Sequence, residues 1–138
     1  MSLRLIGPDP RLGRLVHHVA LCPKDLDQSL RFYRAGIGLE VLLDEVIRDD
    51  WQALFGARSN RLRSLFLGDP KRPDAGIVEL VAFDAGVEAA PGLARPSTGF
   101  FLISFLVDVD ATLARLASLG LDAGLRVLAT RFGAKIAV

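Results

Sequence analysis

The stretch HHVALCPKDLDQSLRFYRAGIGLEV, residues 17–41, decides the reading of the fold. It opens inside a short apolar run, Leu15 to Cys22, which predicts a buried strand. Pro23 stops that strand, and Asp25 follows as a helix N-cap, where its carboxylate can accept from free backbone N–H groups. Leu26, Leu30 and Tyr33 then recur at helical spacing, and Gly36 and Gly38 close the helix. Leu39 to Val46 begins a second strand. One short stretch therefore spells strand, helix, strand.

Working outward, Leu62 to Leu67 and Ile77 to Phe83 (IVELVAF) read as third and fourth strands, split by the turn-rich GDPKRPDAG at 68–76. The segment 48–60 reads either as a short helix or as a loop around Trp51 and Phe55. Residues 84–98, with Gly86, Pro91, Gly92 and Pro96, form a linker. The pattern then starts again. Phe100 to Val107 (FFLISFLV) predicts a strand, Asp108 and Asp110 offer caps, and Ala111 to Leu119 predicts a helix ended by Gly120. Leu125 to Thr130 and Ala134 to Val138 are two more strands.

Laid on each other, the halves place Leu102 against His18, about 84 positions apart, which is too long a period for a solenoid. The expected class is α+β: an irregular arm over 1–14, a βαβββ module over 15–83, the linker, and a second such module over 99–138 that stops one strand short. Parallel pairing across a helical crossover, combined with hairpins, gives a mixed sheet. A sheet with one face under its helix leaves the other face to wrap a ligand.

Composition narrows the function classes. The 138 residues are 51% hydrophobic and 24% charged, an ordinary globular balance. Lys plus Arg is 17 against 16 acidic residues, and a net charge of +1 argues against a nucleic-acid partner. One cysteine, Cys22, excludes a disulfide framework within the chain and a cysteine zinc cage. No apolar run approaches the ~20 residues of a membrane span. The expectation is a cytoplasmic protein without a membrane or nucleic-acid partner.

Glu79 is the sharpest local signal. Ile77, Glu79 and Val81 share one strand face, and a charged carboxylate there is costly unless paired, hydrogen-bonded or metal-bound. A solvent-facing Glu on an edge strand, or a partner for an arginine, is the plain alternative. His17 and His18 alternate to opposite faces of one strand, so they should not share a metal. His18 shares its face with Val16 and Ala20. Trp51, Phe55 and Phe66 could wall a pocket or be ordinary core. Arg58, Arg61, Arg63, Lys71 and Arg72 crowd one hairpin region, either steering an anion or forming a solvated face. Cys22 reads as a buried structural thiol.

The residues 17–41, then GIVELVAF and GFFLISFLVDVDATLARLASLGL, resemble the vicinal oxygen chelate superfamily. That group includes glyoxalase I, bleomycin resistance proteins, extradiol dioxygenases, methylmalonyl-CoA epimerases and fosfomycin-resistance enzymes. The resemblance implies paired βαβββ modules cupped around a divalent metal, and often a homodimer. By that resemblance His18 matches the first metal ligand and Glu79 the second, Glu79 also being a candidate catalytic proton shuttle. The third position falls on Leu102, within Leu-Ile-Ser-Phe, where members usually read His-Ile-Ala-Phe. The fourth would follow Val138. The implied cofactor is Zn, Fe, Mn, Ni or Co, or none, since leucine cannot bind a metal. Leu102 and Ser104, on one strand face, join Trp51, Phe55 and Phe66 as pocket candidates.

Two functions follow from the resemblance. One is a metal-dependent lyase, isomerase or dioxygenase acting on a small molecule with neighbouring oxygens. The other is a metal-free protein that sequesters an apolar or aromatic compound, as bleomycin resistance proteins do. A module serving assembly alone is a third, weaker reading.

Overall fold

The computed structural model describes residues 16–88, 102–129 and 135–137. Its centre is a four-stranded sheet in the order β1-β4-β3-β2, from β1 (His18–Leu21), β2 (Glu40–Arg48), β3 (Arg61–Gly68) and β4 (Ile77–Phe83). β1 and β4 run parallel, with Ala20 opposite Glu79, while β2–β3 and β3–β4 are antiparallel. This is the mixed sheet expected from a crossover followed by hairpins. β3 and β4 are its inner strands and hold most of the buried side chains, whereas edge strand β2 has no buried residue.

The crossover is made by α1 (Leu26–Arg31), continued by a π-helical segment, Phe32–Ile37. Asp25 caps α1 by accepting from the Gln28 N–H at 2.9 Å. Gly38, at φ 97, ends the helical run in the left-handed conformation that glycine adopts without steric cost. Leu26, Leu30 and Tyr33 pack on Leu65, Leu67, Val78 and Leu80, which form the core beneath the helical layer. The ambiguous segment after β2 contains α2 (Trp51–Phe55), capped by Asp50.

α3 (Val109–Ser118) docks this half onto the first. Asp108 caps it, accepting from Ala111 N–H at 2.9 Å. Gly36 is buried against Leu116, so closely that a Cβ at Gly36 would sit 2.5 Å from the leucine Cδ2. Arg115 donates to the Gly36 carbonyl at 3.1 Å, and Arg31 to the Leu119 carbonyl at 2.7 Å. β5 (Val127–Ala129) and β6 (Lys135–Ala137) pair as a separate antiparallel hairpin.

One expected strand is absent from the ladders. Phe100 and Phe101 lie outside the described residues, and 102–107 pair with no strand among those described. Half-buried Ile103, Phe105 and Val107 still alternate with exposed Leu102, Ser104 and Leu106. The period of a strand is present, but a ladder also needs a partner backbone. Among the described residues, no helix is long and apolar enough to cross a membrane.

Candidate functional site

Strand alternation and register assemble the site on the sheet face away from α1. Ala20 and Phe66 both lie opposite Glu79, and Ser64 lies opposite Val81, so His18, Glu79, Ser64 and Phe66 share one face. The Glu79 side chain is only 14% exposed. Such a carboxylate needs partners, and it has them. The buried Ser64 hydroxyl donates to Oε1 at 2.5 Å. His18 Nε2 lies 3.4 Å from Oε2, with the imidazole 39% exposed. The plain alternatives for Glu79, an edge-strand surface residue or an arginine partner, are not what this geometry contains.

His17 does not turn to the opposite face. Its Nδ1 lies 2.8 Å from His18 Nδ1, and the rings meet edge-on at a centroid distance of 5.1 Å. Phe66 packs against both imidazoles, at 5.3 Å from His18 and 6.0 Å from His17. The reason is local: β1 begins at His18, so strand alternation does not fix the side chain before it. This histidine pair is the feature that sequence reasoning missed. The only signal for it was the His-His dipeptide itself.

Cys22, expected to be buried, is exposed at the end of the same strand. Partial enclosure of the sulfur, and after it the negative charge of Glu79, push its thiol above the usual range. A thiol held protonated is a poor nucleophile.

The remaining pocket candidates lie apart from this cluster. Trp51 and Phe55 stack on each other at 5.7 Å. Phe55 lines a cleft of about 440 Å³ with Phe83, Arg58 and Glu88, beyond Val81 along β4. A second cleft of about 330 Å³, under Tyr33 and Leu121, lies on the helical side of the sheet. Neither includes His18 or Glu79. Leu102 is 48% exposed and Ser104 is also exposed, on the outward side of their segment. The basic cluster is largely neutralised: Arg58 pairs with Glu88, Arg61 with Asp84, and Arg63 clasps Asp44 through two bonds of 2.7 and 2.8 Å. The guanidinium hydrogen bonds hold Asp44 below the usual carboxylate range.

The donor set does not fit a catalytic metal. A catalytic zinc takes three protein ligands, and non-haem iron commonly two histidines and a carboxylate. Here Glu79 faces the Nε2 edge of His18 and His17 faces the Nδ1 edge, so the three side chains do not converge on one point. Among the described residues, no three His, Cys, Asp or Glu side chains group to hold an ion.

Comparison with known proteins agrees with this architecture. The family model described as Glyoxalase/Bleomycin resistance protein/Dioxygenase superfamily matches residues 15–130, and the chain belongs to that superfamily. A curated relative, the lactoylglutathione lyase-like protein terB of Aspergillus terreus, is 33% identical over 126 residues, covering 87% of this chain. The chain spans 64% of that relative's length. Among solved structures, the protein SMU.1112c aligns with a TM-score of 0.58 and 26% identity, over 90% of this chain and 88% of the other. A glyoxalase family protein from Bacillus cereus aligns with a TM-score of 0.61 over 85% of this chain and 76% of its own, and at 17% identity it speaks for the fold alone.

Proposed function

We infer that this chain is a small-molecule-binding member of the superfamily that works without a bound metal, with Glu79 as the polar anchor of its ligand. The observation that carries this reading is the state of the Glu79 carboxylate. The buried Ser64 hydroxyl donates to Oε1 at 2.5 Å, and His18 Nε2 stands 3.4 Å from Oε2, so side chains of the same chain already orient the carboxylate. A carboxylate has about four lone-pair sites, so acceptor capacity is left for a donor group on a ligand. Phe66 supplies an apolar wall beside it, as small-molecule sites usually combine apolar lining with a few polar groups.

Further parts of this reading extend beyond the site. The first module spans 15–83 and the second 99–138, a division the family match runs across. A homodimer belongs to the same picture: β1 stands at the sheet edge among the described residues, and Val16, Leu102 and Leu106 are exposed. The setting is cytoplasmic, consistent with a single free thiol.

The competing reading is a metal-dependent lyase, isomerase or dioxygenase, and the name of the fungal relative is its support. The two separate in a thermal-shift screen of aromatic and antibiotic compounds, run with and without EDTA. A ligand that binds only the native state raises Tm. The expected result is a rise that EDTA does not change. A rise that disappears with EDTA and returns with Zn, Fe, Mn, Ni or Co overturns the metal-independent reading.

A further inference from the structure

His17 and His18 are the only histidines of this chain, and their rings touch. We propose that His17 is a positioning residue: its Nδ1–H donates to His18 Nδ1 and fixes the His18 Nε2–H toward Glu79. Proton bookkeeping gives the direction. Two Nδ1 atoms at 2.8 Å bond only if one carries a hydrogen and the other a lone pair. The Glu79 carboxylate offers only lone pairs, so at 3.4 Å it draws the hydrogen of His18 onto Nε2. In a neutral His18 that leaves Nδ1 as an acceptor, and His17 is the donor. His17 is thereby held in the Nδ1–H form, the reverse of what a neutral imidazole prefers in water. Phe66, against both rings, restrains them from turning away.

The pair also sets the class of ligand, a consequence that rests on Glu79 being the anchor. With both His18 nitrogens occupied, the cluster presents the spare lone pairs of Glu79 and the Nε2 lone pair of His17. Both are acceptors. The ligand is accordingly one that donates hydrogen bonds, an alcohol, a phenol or an N–H compound, and not a carboxylate.

The test is the nitrogen-15 NMR spectrum of the two imidazoles in the full chain, free of ligand, at a mildly alkaline pH where ordinary imidazoles are neutral. The expected spectrum has His18 as Nε2–H and His17 as Nδ1–H, with His17 reverting to Nε2–H in His18→Phe. A merely structural contact would not set the tautomer. A wild-type spectrum with His17 already in the Nε2–H form overturns the proposal, whatever the variant does. Because no ligand is present, this outcome is independent of the anchor role of Glu79. The ligand class has its own arm, titration with phenol and with benzoate. Phenol is expected to move the imidazole signals at several-fold lower concentration, and a response to benzoate that equals or exceeds it overturns the class.

Discussion

Glu79→Ala is expected to weaken ligand binding by about 10–100-fold, since a hydrogen bond to a charged group contributes about 1.5–3 kcal/mol and each 1.4 kcal/mol is tenfold. β4 is an inner strand, and its Glu79 is nearly enclosed, so its orientation is set by neighbours more than by solvent. Ser64 fixes one oxygen and His18 lies against the other. A ligand donor meeting this carboxylate therefore finds it already oriented, and little ordering entropy is lost on binding. Removing the side chain also strands the Ser64 hydroxyl, at a cost to stability of about 1–3 kcal/mol. Combining Glu79→Ala with Ser64→Ala removes both halves of the bond and is expected to recover most of that stability without recovering affinity. Calorimetric titration of a ligand from the thermal screen, beside urea unfolding, measures the two effects separately. Undiminished affinity in Glu79→Ala would remove Glu79 from the site.

Leu80→Ala, one residue along, is expected to do the opposite: to cost about 2–5 kcal/mol of stability and leave affinity nearly unchanged at temperatures where the variant is folded. Leu80 is fully buried on the other face of β4, in contact with the core of Leu65, Leu67 and Val78 beneath α1. Truncation leaves a cavity that packed neighbours fill only partly. Urea midpoints with an unchanged slope would report this loss. A loss below about 1 kcal/mol would mean that the α1 layer packs less tightly on the sheet than its burial implies. The contrast between neighbours 79 and 80 expresses the period of two in a strand whose two faces have different work.

Much of this was legible in the sequence because it is encoded locally. The limits of β4 follow from IVELVAF between Gly76 and Asp84. The caps at Asp25 and Asp108 follow from short polar side chains just ahead of periodic leucines. Glu79 stands out as a charge inside an apolar strand, and its closeness to His18 follows from the family resemblance. Ser64 was not legible as its partner, because the β3–β4 register is a long-range property of the pairing. The histidine pair was hidden for a related reason: alternation predicts opposite faces, and it fails where His17 falls outside β1. The 102–107 segment misleads in the other direction. Its alternation of apolar side chains is that of a strand, yet Leu106 stands fully exposed and the backbone joins no ladder among the described residues. Alternation encodes which side chains turn inward, and only a partner strand completes a sheet.

The Phe55–Phe83 cleft and the His18–Glu79 cluster lie along the same face of the sheet, since Phe83, Val81 and Glu79 alternate together on β4. Between them, Leu62 and Val81 are buried. The aromatic residues singled out from sequence thus divide between two places: Phe66 beside the histidines, and Phe55 with Trp51 at the far end.

Elemental mass spectrometry of the intact protein, purified without chelator or affinity metal and then reloaded with Zn, Mn, Fe, Co and Ni, tests the central claim most directly. The account predicts far less than one divalent ion per chain, with no further drop in His18→Ala or Glu79→Ala, because the two histidines and Glu79 do not converge on a common point. About one ion per chain in the wild type, lost in both variants, would contradict it and make His18 and Glu79 metal ligands.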